Sequence, residues 1–184
     1  MNLDRFILLC GMPGAGKSTT GRKLAELIST PFSDSDQWIQ EKNGKSIHEL
    51  FLEGETHFRK VERDAIYELI QLAPHVLALG GGSLQQNEMI QALKNVGILI
   101  FIDVPLSVLY QRLSNDGERP LLSGDQNERF QRLEELYQKR LPMYQQADLT
   151  IHVQDVNSPA EVATLIRDHI ADRFKEEYSH NSNP

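Results

Sequence analysis

The sequence predicts a three-layer α/β protein, and three observations predict it. Short apolar runs recur along the chain, each bounded by glycine or polar residues, as in strands buried on both faces. Between them lie longer segments whose apolar residues return every three or four positions, the period of an amphipathic helix. The alternation of the two kinds implies a parallel sheet covered by helices on both sides.

Phe6–Cys10 reads as the first strand and Lys17–Ile28 as the first helix, with a glycine-rich turn between them. Thr30–Ser33 gives the faintest strand signal and is followed by Asp34-Ser35-Asp36 and a helical pattern over Gln37–Lys42. Ser46-Ile47-His48-Glu49 has the form of a capping box and marks another helix start. Glu55–Leu72 is helical in pattern, and the strand His75–Leu79 runs into Gly80-Gly81-Gly82. Further on come a helix over Asn87–Lys94, a strand over Gly97–Asp103, and helices over Leu106–Leu113 and Glu128–Tyr144. A strand over Leu149–Val153 and a helix over Pro159–Tyr178 complete the order. Ser158-Pro159-Ala160-Glu161 opens that helix with an N-cap, a proline at the first helical position and a box-closing glutamate. Ser114–Asn127 has little periodicity and is long for a connector, as lids and unstructured segments are. No repeat is visible, and the polar tail Ser179–Pro184 is expected to fray.

The chain has 184 residues, which points to one compact domain. With 40% apolar and 24% charged residues it needs neither a disulfide framework nor a structural metal. Its 19 basic and 26 acidic side chains give a net charge of −7, a poor basis for coating nucleic acid or an anionic membrane. That charge does not argue against a small anionic substrate held by a few local arginines. Cys10 is the only cysteine, so no internal disulfide and no cysteine-based zinc site is possible, and the six histidines form no HxxxH pair. The first residues lack the regions of a signal peptide. The apolar stretch Val96–Ile102 is far short of the roughly 20 residues of a membrane span. The expectation is a soluble, cytoplasmic protein.

Gly11-Met12-Pro13-Gly14-Ala15-Gly16-Lys17-Ser18 fits GxxxxGK[ST] at every fixed position, between a strand and a helix. Glycines let backbone N–H groups converge on phosphate oxygens, and the helix N-terminus adds partial positive charge. Lys17 would reach the β- and γ-phosphates, and the Ser18 hydroxyl would ligate Mg²⁺. Thr19 stands where a dinucleotide-binding GxGxxG would need glycine, so nucleoside triphosphate is the ligand class.

Three features describe what accepts the phosphate. Asp34 and Asp36, two apart at a strand end, would point the same way into the ligand crevice; alternatively Asp36 caps the helix Gln37–Lys42. Arg59 and Glu62 share an inward helix face, either as a plain ion pair or with an anionic ligand added. Arg140 occupies a core-stripe position with Phe130, Leu133, Tyr137 and Tyr144, with no acidic residue one turn away. It either snorkels to the surface or grips a carboxylate bidentately. Gly80-Gly81-Gly82 would let a ligand approach the backbone closely.

In combination these motifs resemble the shikimate kinase family, of the nucleoside monophosphate kinase-like P-loop fold. The resemblance runs from about Arg5 to about Ile170. It rests on Gly11–Thr19, Asp34–Asp36, Phe58-Arg59-Lys60-Val61-Glu62, Gly80–Gly82, Arg119-Pro120-Leu121-Leu122 and Lys139-Arg140-Leu141-Pro142-Met143-Tyr144. It implies transfer of the ATP γ-phosphoryl group to the shikimate 3-hydroxyl, and a five-stranded sheet of order 2-3-1-4-5. It also implies site roles: Gly14, Ala15, Gly16, Lys17, Ser18 and Thr19 on ATP; Arg119 from a lid at about 114–127; Arg112 and Asn157 flanking adenine. Asp36, Arg59, Gly81, Gly82 and Arg140 would hold shikimate, with Asp36, Lys17 and Arg119 catalytic. Ser18, and Asp34 through water, would hold Mg²⁺. Residues 1–178 would form one kinase domain, a monomer binding ATP and shikimate but neither nucleic acid nor membrane. A kinase of the same fold for gluconate or a nucleoside monophosphate, and a nucleotide-binding module without turnover, are the competing readings.

Overall fold

In the computed structural model, which describes residues 4–114, 125–154 and 158–180, the apolar runs pair as one parallel sheet of five strands. The strands are β1 (Phe6–Cys10), β2 (Phe32–Asp34), β3 (Val76–Ala78), β4 (Gly97–Asp103) and β5 (Leu149–His152), in the order β2-β3-β1-β4-β5. The helices are α1 (Lys17–Ile28), α2 (Ser35–Asn43), α3 (Ile47–Leu52), α4 (Glu55–Leu69), α5 (Asn87–Val96), α6 (Leu106–Ser114), α7 (Gln126–Tyr144) and α8 (Pro159–His180). The predicted strand order is the observed one.

Several boundaries differ from expectation for local reasons. The Thr30–Ser33 strand moves to Phe32–Asp34, because Pro31 cannot donate to a ladder; its carbonyl instead accepts from the Val76 N–H at 3.2 Å. α4 ends at Leu69, three residues early, where the Gln71 and Leu72 N–H groups turn back to the carbonyls of Glu68 and Leu69 in the tightened geometry of a helix end. Gln126 and Asn127, assigned to the long connector, already belong to α7, with Asp125 as its N-cap. α8 extends to His180, two residues beyond the expected Tyr178.

Every residue of β1 is buried, as are Ile98–Ile102 of β4, and these form the centre of the main core. Cys10 lies there, its thiol pushed up to about 12 chiefly by burial, so it is a small apolar side chain rather than a nucleophile. A second, smaller core joins α2, α3 and α4 through Ile39, Leu50, Phe58 and Ala65. The capping box at Ser46 forms as its sequence requires, with the Ser46 N–H donating to Glu49 Oε2 at 2.7 Å. Among the described residues no helix is long and apolar enough to cross a membrane.

The topology locates the ligand crevice. From β1 the chain crosses through α1 to β2 on one side, and from β3 it crosses through α5 to β4 on the other. Neighbouring strands whose connections diverge leave a crevice at their C-terminal ends, where open α/β sheets bind ligands. The loop after β1 and the glycines after β3 face each other across it.

Gly97 opens β4 opposite Phe6, and a Cβ there would sit 2.6 Å from the Phe6 carbonyl oxygen. Because that obstacle is backbone, Gly97→Ala is expected to lower stability by about 1–3 kcal/mol. A urea melt reads this directly, as a lower midpoint with an unchanged slope.

Candidate active site

The glycine-rich turn adopts the backbone its composition permits. Gly14 and Gly16 have φ of 80° and 84°, in the left-handed region where a side chain is strained. Gly16 is the N-cap of α1, yet no side chain caps that helix and its first turn holds no acidic residue. α2, α3 and α7, by contrast, are each capped by a side chain. Among the described residues no side chain caps the N-terminus of α1, and such a helix end suits an anion. Lys17 is buried, and its ammonium donates to the carbonyls of Gly11 and Met12 at 3.0 Å each. Arg112 of α6 donates to the Gly14 carbonyl at 3.2 Å, so this residue stands at the loop as well.

The Ser18 hydroxyl donates to Asp34 Oδ2 across the gap between α1 and β2. Asp34 Oδ1 accepts from the N–H groups of Asp36, at 2.9 Å, and Gln37, at 3.2 Å. The helix cap is thus Asp34, and α2 starts at Ser35, which corrects the alternative in which Asp36 capped a helix from Gln37. The two carboxylates also do not lie on one strand: Asp34 ends β2, whereas Asp36 is in the first turn of α2. Asp36, relieved of capping, projects instead toward the glycines after β3.

Those glycines are where the acceptor residues meet. A Cβ on Gly80 would lie 2.6 Å from Asp36 Oδ1, one on Gly81 would lie 3.2 Å from Arg140 Nη1, and one on Gly82 would lie 2.4 Å from Arg59 Nη1. Pro13 of the phosphate loop also reaches Gly81, with its Cδ 2.9 Å from that Cβ position. Three polar residues from α2, α4 and α7 therefore close on three successive positions that carry no side chain.

Arg59 donates to Glu62 Oε2 at 2.6 Å, the ion pair expected from their spacing. The pair does not exhaust it, because Arg59 Nε is buried without a hydrogen-bond partner among the described residues. Phe51 and Phe58 hold the guanidinium from their ring faces, with its carbon 5.3 Å and 5.1 Å from their centroids. For Arg140, both Nε and Nη1 are buried and without such a partner. Snorkelling is thereby excluded, since a snorkelling arginine keeps its head in water. Two inward guanidiniums with unused donors match the fork geometry of a carboxylate.

Four contributors were not singled out from the sequence. Ser35, wholly buried between the two aspartates, accepts from the Gly80 N–H at 2.9 Å, and Ser83 donates to Glu62 Oε1 at 2.9 Å. Tyr144 donates to the Gly81 carbonyl at 2.6 Å, and Tyr137 donates to Asp103 Oδ1 at 3.0 Å. Burial and then Asp103 push the Tyr137 hydroxyl up to about 12, so it stays a donor. The only available signals were adjacency to motifs and, for the tyrosines, membership of the Arg140 stripe. Arg119 and Asn157 lie outside the described residues, as do 115–124 of the expected lid.

The fold and the glycine-rich loop define the class as a P-loop phosphotransferase. Comparison with known proteins narrows the class. A family model described as shikimate kinase matches residues 13–171. The shikimate kinase of Haemophilus influenzae is 40% identical over 164 residues, covering 88% of this chain and 91% of its own. The solved structure of shikimate kinase from Acinetobacter baumannii in complex with shikimate is 36% identical with a TM-score of 0.86, covering 94% of this chain and 96% of its own. A gluconokinase from Sinorhizobium meliloti, 17% identical with a TM-score of 0.58 and full coverage of both chains, shares the fold alone. The chain belongs to the shikimate kinase family, and it is a kinase with ATP as co-substrate.

Glu62 is almost fully buried, and with Ser83 it fixes Arg59 against the glycines. Glu62→Gln would remove the buried counter-charge of the guanidinium and leave only the exposed Glu55, 3.7 Å away, a change that costs up to about 3 kcal/mol in buried pairs. Denaturant unfolding of the purified variant is expected to show a loss of that order.

Proposed function

We propose that this chain carries the γ-phosphoryl group of ATP to the 3-hydroxyl of shikimate, with Asp36, Arg59 and Arg140 holding the acceptor and the loop Gly11–Ser18 holding the donor. The observation that carries the residue assignment is the convergence of those three side chains on Gly80–Gly82. Shikimate is a hydroxylated ring with one carboxylate. It needs a hydroxyl acceptor at one end and an anion clamp at the other, and the crevice offers both.

The loop Gly14, Ala15, Gly16, Lys17, Ser18 and Thr19, whose turn is closed by the Ala15 N–H on the Met12 carbonyl at 3.1 Å, would bring the helix dipole and the remaining N–H groups against the β- and γ-phosphates. The Lys17 ammonium, held at the loop by the Gly11 and Met12 carbonyls, neutralises charge on the group in transfer. The two guanidiniums fix the ring through its carboxylate, and the Gly81 and Gly82 N–H groups meet it from the backbone. Asp36 orients the hydroxyl in line with the γ-phosphorus and takes its proton as the new P–O bond forms and the bond from the γ-phosphorus to the bridging oxygen breaks, releasing ADP. Since phosphoryl transfer passes through a loose transition state, alignment contributes more than nucleophile activation.

Ser18 and Asp34 suit Mg²⁺, a hard cation that takes oxygen ligands and keeps several waters, so a hydroxyl and one carboxylate suffice beside the phosphates. When bound it would neutralise charge across the β- and γ-phosphates. Arg119 is assigned to the same phosphates from a lid, and Arg112, already at the Gly14 carbonyl, flanks adenine with Asn157. The reading includes a single kinase domain over 1–178, acting as a cytoplasmic monomer. The net charge of −7 supports its having neither nucleic acid nor membrane as a partner.

ADP release from ATP and Mg²⁺ is measured with shikimate, gluconate, AMP or no acceptor; release with shikimate alone is expected. Release with another acceptor instead would overturn the clamp. Arg140→Ala removes a charge-assisted contact and is expected to raise the shikimate KM about 10- to 100-fold, with little change for ATP. Asp36→Asn is expected to lower kcat by about 10²- to 10⁴-fold while ATP still binds. Equal effects of Arg140→Ala on both KM values would contradict the assignment.

A further inference from the structure

We propose that Tyr144 is a positioning residue for the acceptor site, setting the orientation of the Gly81–Gly82 peptide and the place of Arg140 above it. This rests on the reading that Arg140 and those glycines hold the shikimate carboxylate and ring.

Tyr144 is the last residue of α7 and lies one helical turn beyond Arg140. Its ring is 2% exposed and stacks on Phe101 of β4, with centroids 5.0 Å apart and planes at 20°. Its hydroxyl donates to the Gly81 carbonyl at 2.6 Å and lies 3.9 Å from Met12 Sδ, between the phosphate loop and the glycines. A trans peptide is planar, so a fixed Gly81 carbonyl turns the Gly82 N–H to the opposite side of the same plane. The backbone closes a turn around this peptide, with the Ser83 N–H on the Gly80 carbonyl at 3.1 Å, and the Tyr144 bond adds a side-chain restraint on the Gly81 carbonyl itself, which that turn bond leaves out.

The same bond ties α7 to the crevice. Pro142, between Arg140 and Tyr144, has no N–H and withdraws one backbone hydrogen bond from the last turns of the helix. α7 is instead held by side-chain anchors on either side of Arg140: Tyr137 on Asp103 and Tyr144 on Gly81. Burial pushes the Tyr144 hydroxyl well above its ordinary range, partly opposed by the Arg140 charge, so it remains a neutral donor wherever the protein is folded.

Tyr144→Phe keeps the stack and removes only the donor. It is compared with the unmodified protein and with Arg140→Ala by steady-state kinetics, with a thermal melt of each. The expected result for Tyr144→Phe is a shikimate KM raised about five- to tenfold and an ATP KM changed by less than about twofold. A general loosening of the fold would move both constants together, and that outcome would overturn the proposal. An unchanged shikimate KM in Tyr144→Phe beside a raised one in Arg140→Ala would also overturn it, while leaving the carboxylate clamp in place. If neither variant moves the shikimate KM, the clamp falls and the proposal with it. Should Tyr144→Phe not melt cooperatively, Phe101→Leu, which keeps the hydroxyl but loosens the ring behind it, is read by the same split.

Discussion

Three adjacent positions without side chains are the constraint on which this crevice depends. Asp36, Arg140 and Arg59 come from different helices, and each approaches to within about a bond length or two of where a Cβ on Gly80, Gly81 or Gly82 would stand. Any larger residue there would push one of them out of the crevice. The sheet brings this about, since β3 lies between β1 and β2, and its end meets the phosphate loop on one side and the Asp34–Asp36 corner on the other. The smaller core among α2, α3 and α4 then joins the elements that carry Asp36 and Arg59, while Ile66 and Leu69 tie α4 to the main core.

Charge is divided across the crevice in a way that suits two anionic substrates. On the loop side, Lys17 and Arg112 bond to the carbonyls of the glycine-rich loop beside the N-terminus of α1. On the other side the arginines are inward and retain buried donors without partners among the described residues, which makes them costly to keep unless an anion completes them. The acidic groups are distributed in support: Asp34 holds Ser18 and caps α2, Glu62 holds Arg59, and Asp103 holds Tyr137. A chain of net charge −7 can thus bind anions, because the local field and not the total decides.

Much of this was legible in the sequence because it is local. The strands over Phe6–Cys10 and Gly97–Asp103 and the helix over Lys17–Ile28 have the bounds their patterns imply. Arg140 stood out because a charge on an apolar stripe contradicts its surroundings, a contradiction visible without coordinates. What was not legible is pairing across the chain. β2 has three residues and takes its position from Val76 and Pro31, whose contact no local pattern encodes. Whether Asp34 or Asp36 would cap α2 turned on one residue of helix start, within the usual uncertainty of helix ends. Ser35, Ser83 and Tyr144 act on partners 21 to 63 residues away, so they read as filler beside the motifs they serve.

The most direct test of the account is a crystal structure of the chain with shikimate and ADP. The account predicts the ring lying across Gly80–Gly82, its carboxylate bonded to both Arg59 and Arg140, and its 3-hydroxyl against Asp36. A carboxylate held by other residues, or a ring placed away from the three glycines, would contradict it.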